Sequence, residues 1–246
     1  MAVNGKTVSV LVTTYHPKRR RDAAGICAMW SKEPVEQVWL LDGSGQSLPV
    51  APIGFMHWKM PVDFGTRTDY GVALLAEGDL IICADDDLMP KPGFVQDLVD
   101  GMDALDAGFV GVIGRIFNDP EYSKTTYYAA SKIEKPQRVD FCGICYMAKR
   151  EYFGFDTRGM PRNCDDLWHA RQYPDVPKYV IPTQKYENLK THNDGTAMFK
   201  MPELKAQRQE YYEDNWRMMR NTRELQTRGA EAFKQEHTYL RDMASA

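Results

Sequence analysis

Apolar runs alternate with helix-like segments through the first half of the chain. Residues 8–14 are rich in β-branched side chains and read as a strand. A polar stretch follows, and residues 22–32 read as a helix. A second strand covers 35–41 and ends in Asp42-Gly43-Ser44-Gly45, a strong turn signal. Residues 53–58 give a short strand. Residues 66–77 predict a helix built on Ala73, Leu74, Leu75 and Ala76, with Gly78 as its stop. The segment 79–84 is the next strand, and its stretch from Leu80 to Ala84 is short and continuously apolar. That is the pattern of a strand buried on both faces of a parallel sheet. Past Pro92 a helix carries Phe94, Val95, Leu98, Val99, Met102 and Leu105 at helical spacing. Residues 109–116 return to strand. This alternation predicts an α/β fold with a mostly parallel sheet flanked by helices.

The second half is less regular. Residues 122–131 are polar and aromatic and read as a loop or hairpin. Residues 139–148 predict a strand, 163–173 a helix with an Asp-rich first turn, and 180–182 a short strand. From Pro202 onward Glu, Arg, Gln, Lys and Leu dominate, and 203–243 reads as one or two long helices. The expected organisation is one domain over 1–200 and a helical extension over 201–246.

Composition narrows the picture. A chain of 246 residues can bury one substantial core. Its net charge of −3 gives no global basic field for nucleic acid or anionic membrane. Locally, Lys18-Arg19-Arg20-Arg21 after the first strand reads as a solvated loop or as an anion-binding rim. No stretch is long and apolar enough to cross a bilayer, and the first residues carry no secretion signal, so the expected location is the cytoplasm. The five cysteines are scattered and fit reduced thiols. Cys142 and Cys145, with Cys164 and His169, are a weak zinc set; small buried cysteines are the better reading.

The strongest chemical signal is Asp85-Asp86-Asp87, at the end of the 79–84 strand. Open α/β sheets bind ligands beyond the carboxyl ends of their strands. Three adjacent carboxylates repel one another unless a cation or hydrogen-bond donors compensate. Hard carboxylate oxygens suit Mg²⁺ or Mn²⁺, which usually bridge one or two protein carboxylates to substrate phosphates. The rival reading is a solvated Asp-rich turn.

Other segments favour the first reading. The first strand ends Thr13-Thr14-Tyr15-His16-Pro17 and the second ends Leu41-Asp42-Gly43-Ser44. Residues 64–73 contain Gly65, Arg67, Asp69, Gly71 and Ala73. Phe153-Gly154-Phe155-Asp156 precedes Asn163-Cys164-Asp165-Asp166-Leu167-Trp168, and Lys190-Thr191-His192 follows later. Taken in order, these motifs resemble family 2 of the glycosyltransferases, of the GT-A fold, across roughly residues 8–192. The resemblance implies that Thr13, Thr14 and Tyr15 cup a nucleotide base and that Asp42 touches base or ribose. Arg67 and Asp69 would lie beside the diphosphate, Asp69 standing where the family has asparagine. Asp85 and Asp86 would complete the donor site. Asp87, with Asp85 and His192, would ligate Mn²⁺ or Mg²⁺. The pair Asp165 and Asp166 would supply the base, Asp166 matching the family's second acid; read alone, the pair is a helix N-cap.

The implied activity is transfer of a sugar from a nucleotide-diphosphate sugar to an acceptor hydroxyl, with inversion. The acceptor stays open among a saccharide, a small molecule and a hydroxymethylated base in DNA, the last suggested by Arg208, Arg217, Arg220, Arg223 and Arg228. A nucleotidyltransferase and a non-catalytic nucleotide-sugar-binding protein are the alternatives on the same fold. The C-terminal helices would form part of the acceptor site, a lid or an oligomer contact.

Overall fold

The computed structural model describes residues 2–45, 53–61, 64–65, 67–161, 164–189, 201–216 and 219. Its strands are β1 (Ala2–Val3), β2 (Lys6–Thr14), β3 (Gln37–Asp42), β4 (Met56–Lys59), β5 (Leu80–Asp85), β6 (Leu88–Pro90), β7 (Phe109–Ile116), β8 (Thr126–Ala129), β9 (Gln137–Val139), β10 (Phe141–Lys149), β11 (Lys178–Val180) and β12 (Tyr186–Asn188). Its α-helices are α1 (Arg20–Trp30), α2 (Arg67–Ala73), α3 (Phe94–Ala104), α4 (Asp165–Gln172) and α5, over 202–216.

The central sheet runs β4-β3-β2-β5-β10-β7-β11-β9, with β1 added to β2 and β8 to β7. Strands β4, β3, β2 and β5 are mutually parallel, and β11 is parallel to β7. Strand β10 lies antiparallel between β5 and β7, so those two again share a direction. The fold is thus α/β with a mostly parallel sheet flanked by helices. Five residues in a row are buried along β2 and along β5, as central strands covered on both faces require. Helix α1 sends Ala23, Ala24, Ile26, Cys27 and Trp30 into this core, and α3 sends Phe94, Val95, Leu98, Val99 and Met102.

The chain leaves β2 toward β3 on one side and returns to β5 on the other. The crevice above the carboxyl ends of β2 and β5 is therefore the topological switch point. Register sets the partners there: Thr13 faces Asp85, and Thr14 faces Asp42. Two anchors hold the surroundings. The buried Glu33 carboxylate accepts the N–H groups of Gly93 (3.1 Å) and Val95 (3.1 Å), capping the start of α3, which has no cap of its own. Leu189 N–H donates to the Asp87 carbonyl at 2.7 Å.

Several boundaries differ from the sequence reading. The strand expected at 53–58 runs Met56–Lys59. The helix expected over 66–77 ends at Ala73, because residues 74–76 turn with Leu74 and Leu75 in solvent. The strand expected over 139–148 is two strands broken at Asp140, whose carboxylate accepts Phe117 N–H at 2.7 Å. The strand at 180–182 is Lys178–Val180, since Pro182 has no N–H to extend a ladder. Residues 122–131 form a hairpin arm, β8 pairing with β7. Most of the helix expected over 203–243 lies outside the described residues. Among those described, no helix is long and apolar enough to cross a membrane.

Helix α5 packs on the fold through an apolar cluster of Phe117, Phe141, Cys164, Leu167, Ala170, Tyr212 and Met219. Tyr212 is fully buried, and its hydroxyl donates to the Asp119 carbonyl at 2.7 Å. Gln209 accepts Tyr122 N–H at 3.0 Å.

Candidate functional site

A cavity of about 1070 Å³ opens at the switch point and runs to α5. Thr13, Tyr15, Arg19, Asp69, Asp85, Asp86 and Asp87 line one end; Arg115, Tyr122, Tyr127, Lys205, Arg208 and Gln209 line the other, with Asp165, Asp166 and Gly143 on its wall as well. Among the described lining residues eight are acidic and four basic, so the cavity favours a ligand that arrives with a cation.

At the first end the aspartates differ in environment. Asp86 is buried; its Oδ2 accepts the Thr14 hydroxyl at 2.6 Å and its Oδ1 accepts Arg19 Nη1 at 2.8 Å. The same Nη1 donates to Asp87 Oδ2 at 3.0 Å. Burial pushes the Asp86 carboxyl up to about 6, against the pull of Thr14 and Arg19. Burial opposes the Arg19 charge too, but Asp86 and Asp87 outweigh it and hold the guanidinium firmly protonated. Asp85 instead opens to the cavity. The enclosing walls hold its pKa well above the carboxylate range, and the charges of Asp87, Asp86, Asp165 and Asp69 add to that. Asp69 is buried on α2 and accepts the Thr13 hydroxyl. Burial pushes its carboxyl up to about 8; Asp165 adds to the shift and the Thr13 bond opposes it.

The second end is built by β10, α4 and α5. The ladder between β10 and β7 shifts register between Gly143 and Tyr146, and Ile144 takes φ 62°. A β-branched residue in the left-handed region marks a bulge held in place by its surroundings. A Cβ on residue 143 would stand 3.2 Å from Asp166 Oδ2 and 3.1 Å from the Phe141 ring, so glycine keeps that space open. Helix α4 starts with no side-chain cap from Cys164. Asp165 and Asp166 occupy its first turn, where the helix dipole favours carboxylates. Asp166 Oδ1 accepts Leu167 N–H at 2.8 Å and Arg208 Nη1 at 2.7 Å, and Asp166 Oδ2 accepts Arg208 Nη2 at 2.6 Å. Arg208 Nη2 also donates to the Tyr122 hydroxyl at 2.7 Å. The Tyr122 ring lies between two guanidiniums, Arg208 at 4.7 Å and Arg115 at 4.8 Å.

Behind this wall runs a buried polar chain. His169 Nε2 lies 2.7 Å from the Tyr152 carbonyl, which can only accept, so Nε2 carries the proton. Nδ1 then accepts from the Tyr146 hydroxyl at 3.2 Å, and Tyr146 accepts from Tyr70 at 2.7 Å. Burial pushes the His169 imidazole down to about 3. With both ring nitrogens engaged, His169 has no lone pair for an ion. Cys142, Cys145 and Cys164 are buried free thiols.

The structure therefore gathers Thr13, Tyr15, Asp69, Asp85, Asp86, Asp87, Asp165 and Asp166 at one cavity. Thr14 stands behind it, holding Asp86. Asp42 is fully buried and is not among the lining residues; its oxygens take Ser44 N–H at 2.9 Å and His57 Nε2 at 3.0 Å. Arg67 is exposed and does not line the cavity. His192 lies outside the described residues. Sequence reasoning gave no role in the site to Arg115 or Gly143, offered Arg19 only as one of four members of a candidate anion-binding rim, and gave Arg208 only to a basic surface. The one available signal was the basic run at 18–21, which does not say which member turns inward.

Among the described residues no three His, Cys, Asp or Glu side chains converge as a metal site by themselves. The donor chemistry nonetheless fits an ion shared with a ligand: Asp85 presents hard oxygens to the cavity amid further carboxylates, and Mg²⁺ commonly takes only one or two carboxylates plus phosphate oxygens.

No protein-family model matches the chain, and no curated protein matches it. The fold is similar to solved structures of S. aureus TarS. TarS 1–349 in complex with UDP-GlcNAc superposes with a TM-score of 0.59 at 12% identity, over 79% of this chain and 61% of that one. TarS 1–349 alone gives 0.54 at 11%, over 76% and 61%. The chain thus spans about three fifths of the TarS 1–349 structures it matches, and what it shares with them is the fold.

Proposed function

We propose that the chain transfers a sugar from a nucleotide-diphosphate sugar to an acceptor hydroxyl. The observation that carries this reading is one cavity lined by Asp85–Asp87 and Arg19 at the switch point together with the acidic pair Asp165–Asp166. The fold shared with TarS, whose structure holds UDP-GlcNAc, supports the donor class. Tyr15 and Thr13 would meet the nucleoside, and Arg19 would face the diphosphate while fixing Asp86 and Asp87. Mn²⁺ or Mg²⁺ would be held by Asp85 and Asp87 and, when bound, would neutralise charge on the leaving diphosphate.

In the reaction the acceptor oxygen forms a bond to the anomeric carbon. The carbon–oxygen bond to the diphosphate breaks, its electron pair leaves with the nucleoside diphosphate, and the acceptor proton passes to Asp166. Attack from the face opposite the diphosphate inverts the anomeric centre. Arg19 supplies fixed positive charge where the leaving group becomes more negative, the preorganised kind of stabilisation that lowers the barrier most.

Calorimetric titration with a panel of UDP-, GDP- and CDP-sugars, with and without Mn²⁺, tests the reading. One nucleotide should bind, with affinity lost in Asp85→Asn and kept in Asp166→Asn. Absence of binding across the panel would overturn it.

A further inference from the structure

Asp166 is tied to the C-terminal helix more closely than to its own helix. Both carboxylate oxygens are gripped by the two Nη atoms of Arg208, at 2.7 and 2.6 Å. This fork-on-carboxylate geometry fixes the plane of the group as well as its position. A carboxylate oxygen offers two lone pairs. Those of Oδ1 are taken by Arg208 Nη1 and Leu167 N–H, whereas among the described residues Oδ2 accepts only Arg208 Nη2. The remaining Oδ2 lone pair has room beside it because residue 143 is glycine. Arg208 is itself fixed: it is partly buried, it donates to the Tyr122 hydroxyl at 2.7 Å, and it stacks on that ring. Tyr122 is pinned to α5 a second time through Gln209.

We propose that Arg208 is a positioning residue of the reaction, aiming one lone pair of Asp166 Oδ2 into the cavity to take the acceptor proton. This rests on the sugar-transfer reading above and deepens it, since it makes α5 part of the machinery. A general base must lie within hydrogen-bond reach of the proton it takes, and small displacements are expensive. The fork holds Asp166 in that geometry before any acceptor arrives. Removing it leaves the carboxylate free to turn toward the helix amides.

The test compares the full chain with Arg208→Lys, Arg208→Gln and Gly143→Ala, each checked by thermal melting. Two quantities are read: affinity for the UDP-sugar that the wild type binds, by calorimetry with Mn²⁺, and release of UDP from it with water as acceptor. Arg208→Gln should lose about a hundredfold in kcat while donor affinity stays within about twofold. Guanidinium ion added to Arg208→Gln should restore part of the rate, because it can refill the fork; Arg208→Lys should fall between, keeping charge without the fork. Gly143→Ala crowds Oδ2 and should lower kcat at unchanged donor affinity. Wild-type kcat in Arg208→Gln, or a loss that guanidinium leaves untouched and that follows donor affinity or melting, would overturn the role of Arg208. A wild-type chain that releases no UDP and binds no nucleotide sugar would overturn the sugar-transfer reading, and this one with it.

Discussion

Asp69 gives the sharpest quantitative test of the site's electrostatics. Its carboxyl is pushed up to about 8 by burial, with Asp165 adding and the Thr13 bond opposing. At pH 7 the folded chain therefore holds a proton on Asp69 that the unfolded chain, with an ordinary Asp near 3.9, has released. The fold binds the extra proton between those values, so stability falls as pH rises from about 4 to about 8, by about 1.4 kcal/mol per unit. Summed to pH 7, the cost is about 4 kcal/mol. Asn at 69 keeps the oxygen that accepts the Thr13 hydroxyl and removes the titration. Asp69→Asn should match the wild type near pH 4 and exceed it by up to about 4 kcal/mol at pH 7. Urea unfolding at half-unit steps from pH 4 to 8.5 measures the difference. A gap that does not grow with pH, or a less stable variant at pH 8, would refute the reasoning. Because a protonated Asp is electrically neutral like Asn, the variant should also keep its donor affinity at pH 7.

Three further outcomes are expected. Glu33→Ala uncaps α3 and should cost about 1–2 kcal/mol in urea unfolding; a change below about 0.3 kcal/mol would mean the two amides find other acceptors. His169, held neutral down to about 3, contributes stability that is present above pH 6.5 and lost as pH falls toward 3. This slope opposes that of Asp69 between pH 4 and 6.5, so it is read as the difference from His169→Phe, which should shrink on acidification; a constant difference would contradict it. The five cysteines, all buried, should resist an aromatic disulfide reagent in the native chain and react fully in guanidinium; rapid labelling of the native chain would contradict the packing around β10 and α4.

How much of this was legible in the sequence depended on distance along the chain. The succession of strands and helices through β5 was readable because local apolar runs and turn residues mark each element, and the place of Asp85–Asp87 followed from where the run at β5 stops. The antiparallel insertion of β10 was not readable. Its pairings join residues 26 to 39 positions apart on one side and 61 to 69 on the other, and nothing in its own pattern separates a parallel from an antiparallel central strand. The basic run 18–21 showed an excess of cations, but only the turn from His16 to Arg19 decides that Arg19 is buried while Lys18 and Arg21 face solvent. Asp42 sits in a turn that suggests a ligand contact, yet His57 fifteen residues away takes its Oδ2. Arg208 lies forty-two residues from Asp166, beyond a segment with no readable pattern, so their pairing belongs to tertiary packing alone.

The central claim is that the switch-point end of the cavity binds a nucleotide diphosphate. The most direct measurement is a crystal structure of the chain soaked with UDP and Mn²⁺, with anomalous data collected for manganese. The account predicts diphosphate oxygens within hydrogen-bond reach of Arg19, the base beside Tyr15, and an anomalous peak next to Asp85. A nucleotide bound elsewhere, or a cavity that stays free of nucleotide at saturating UDP and Mn²⁺, would contradict it.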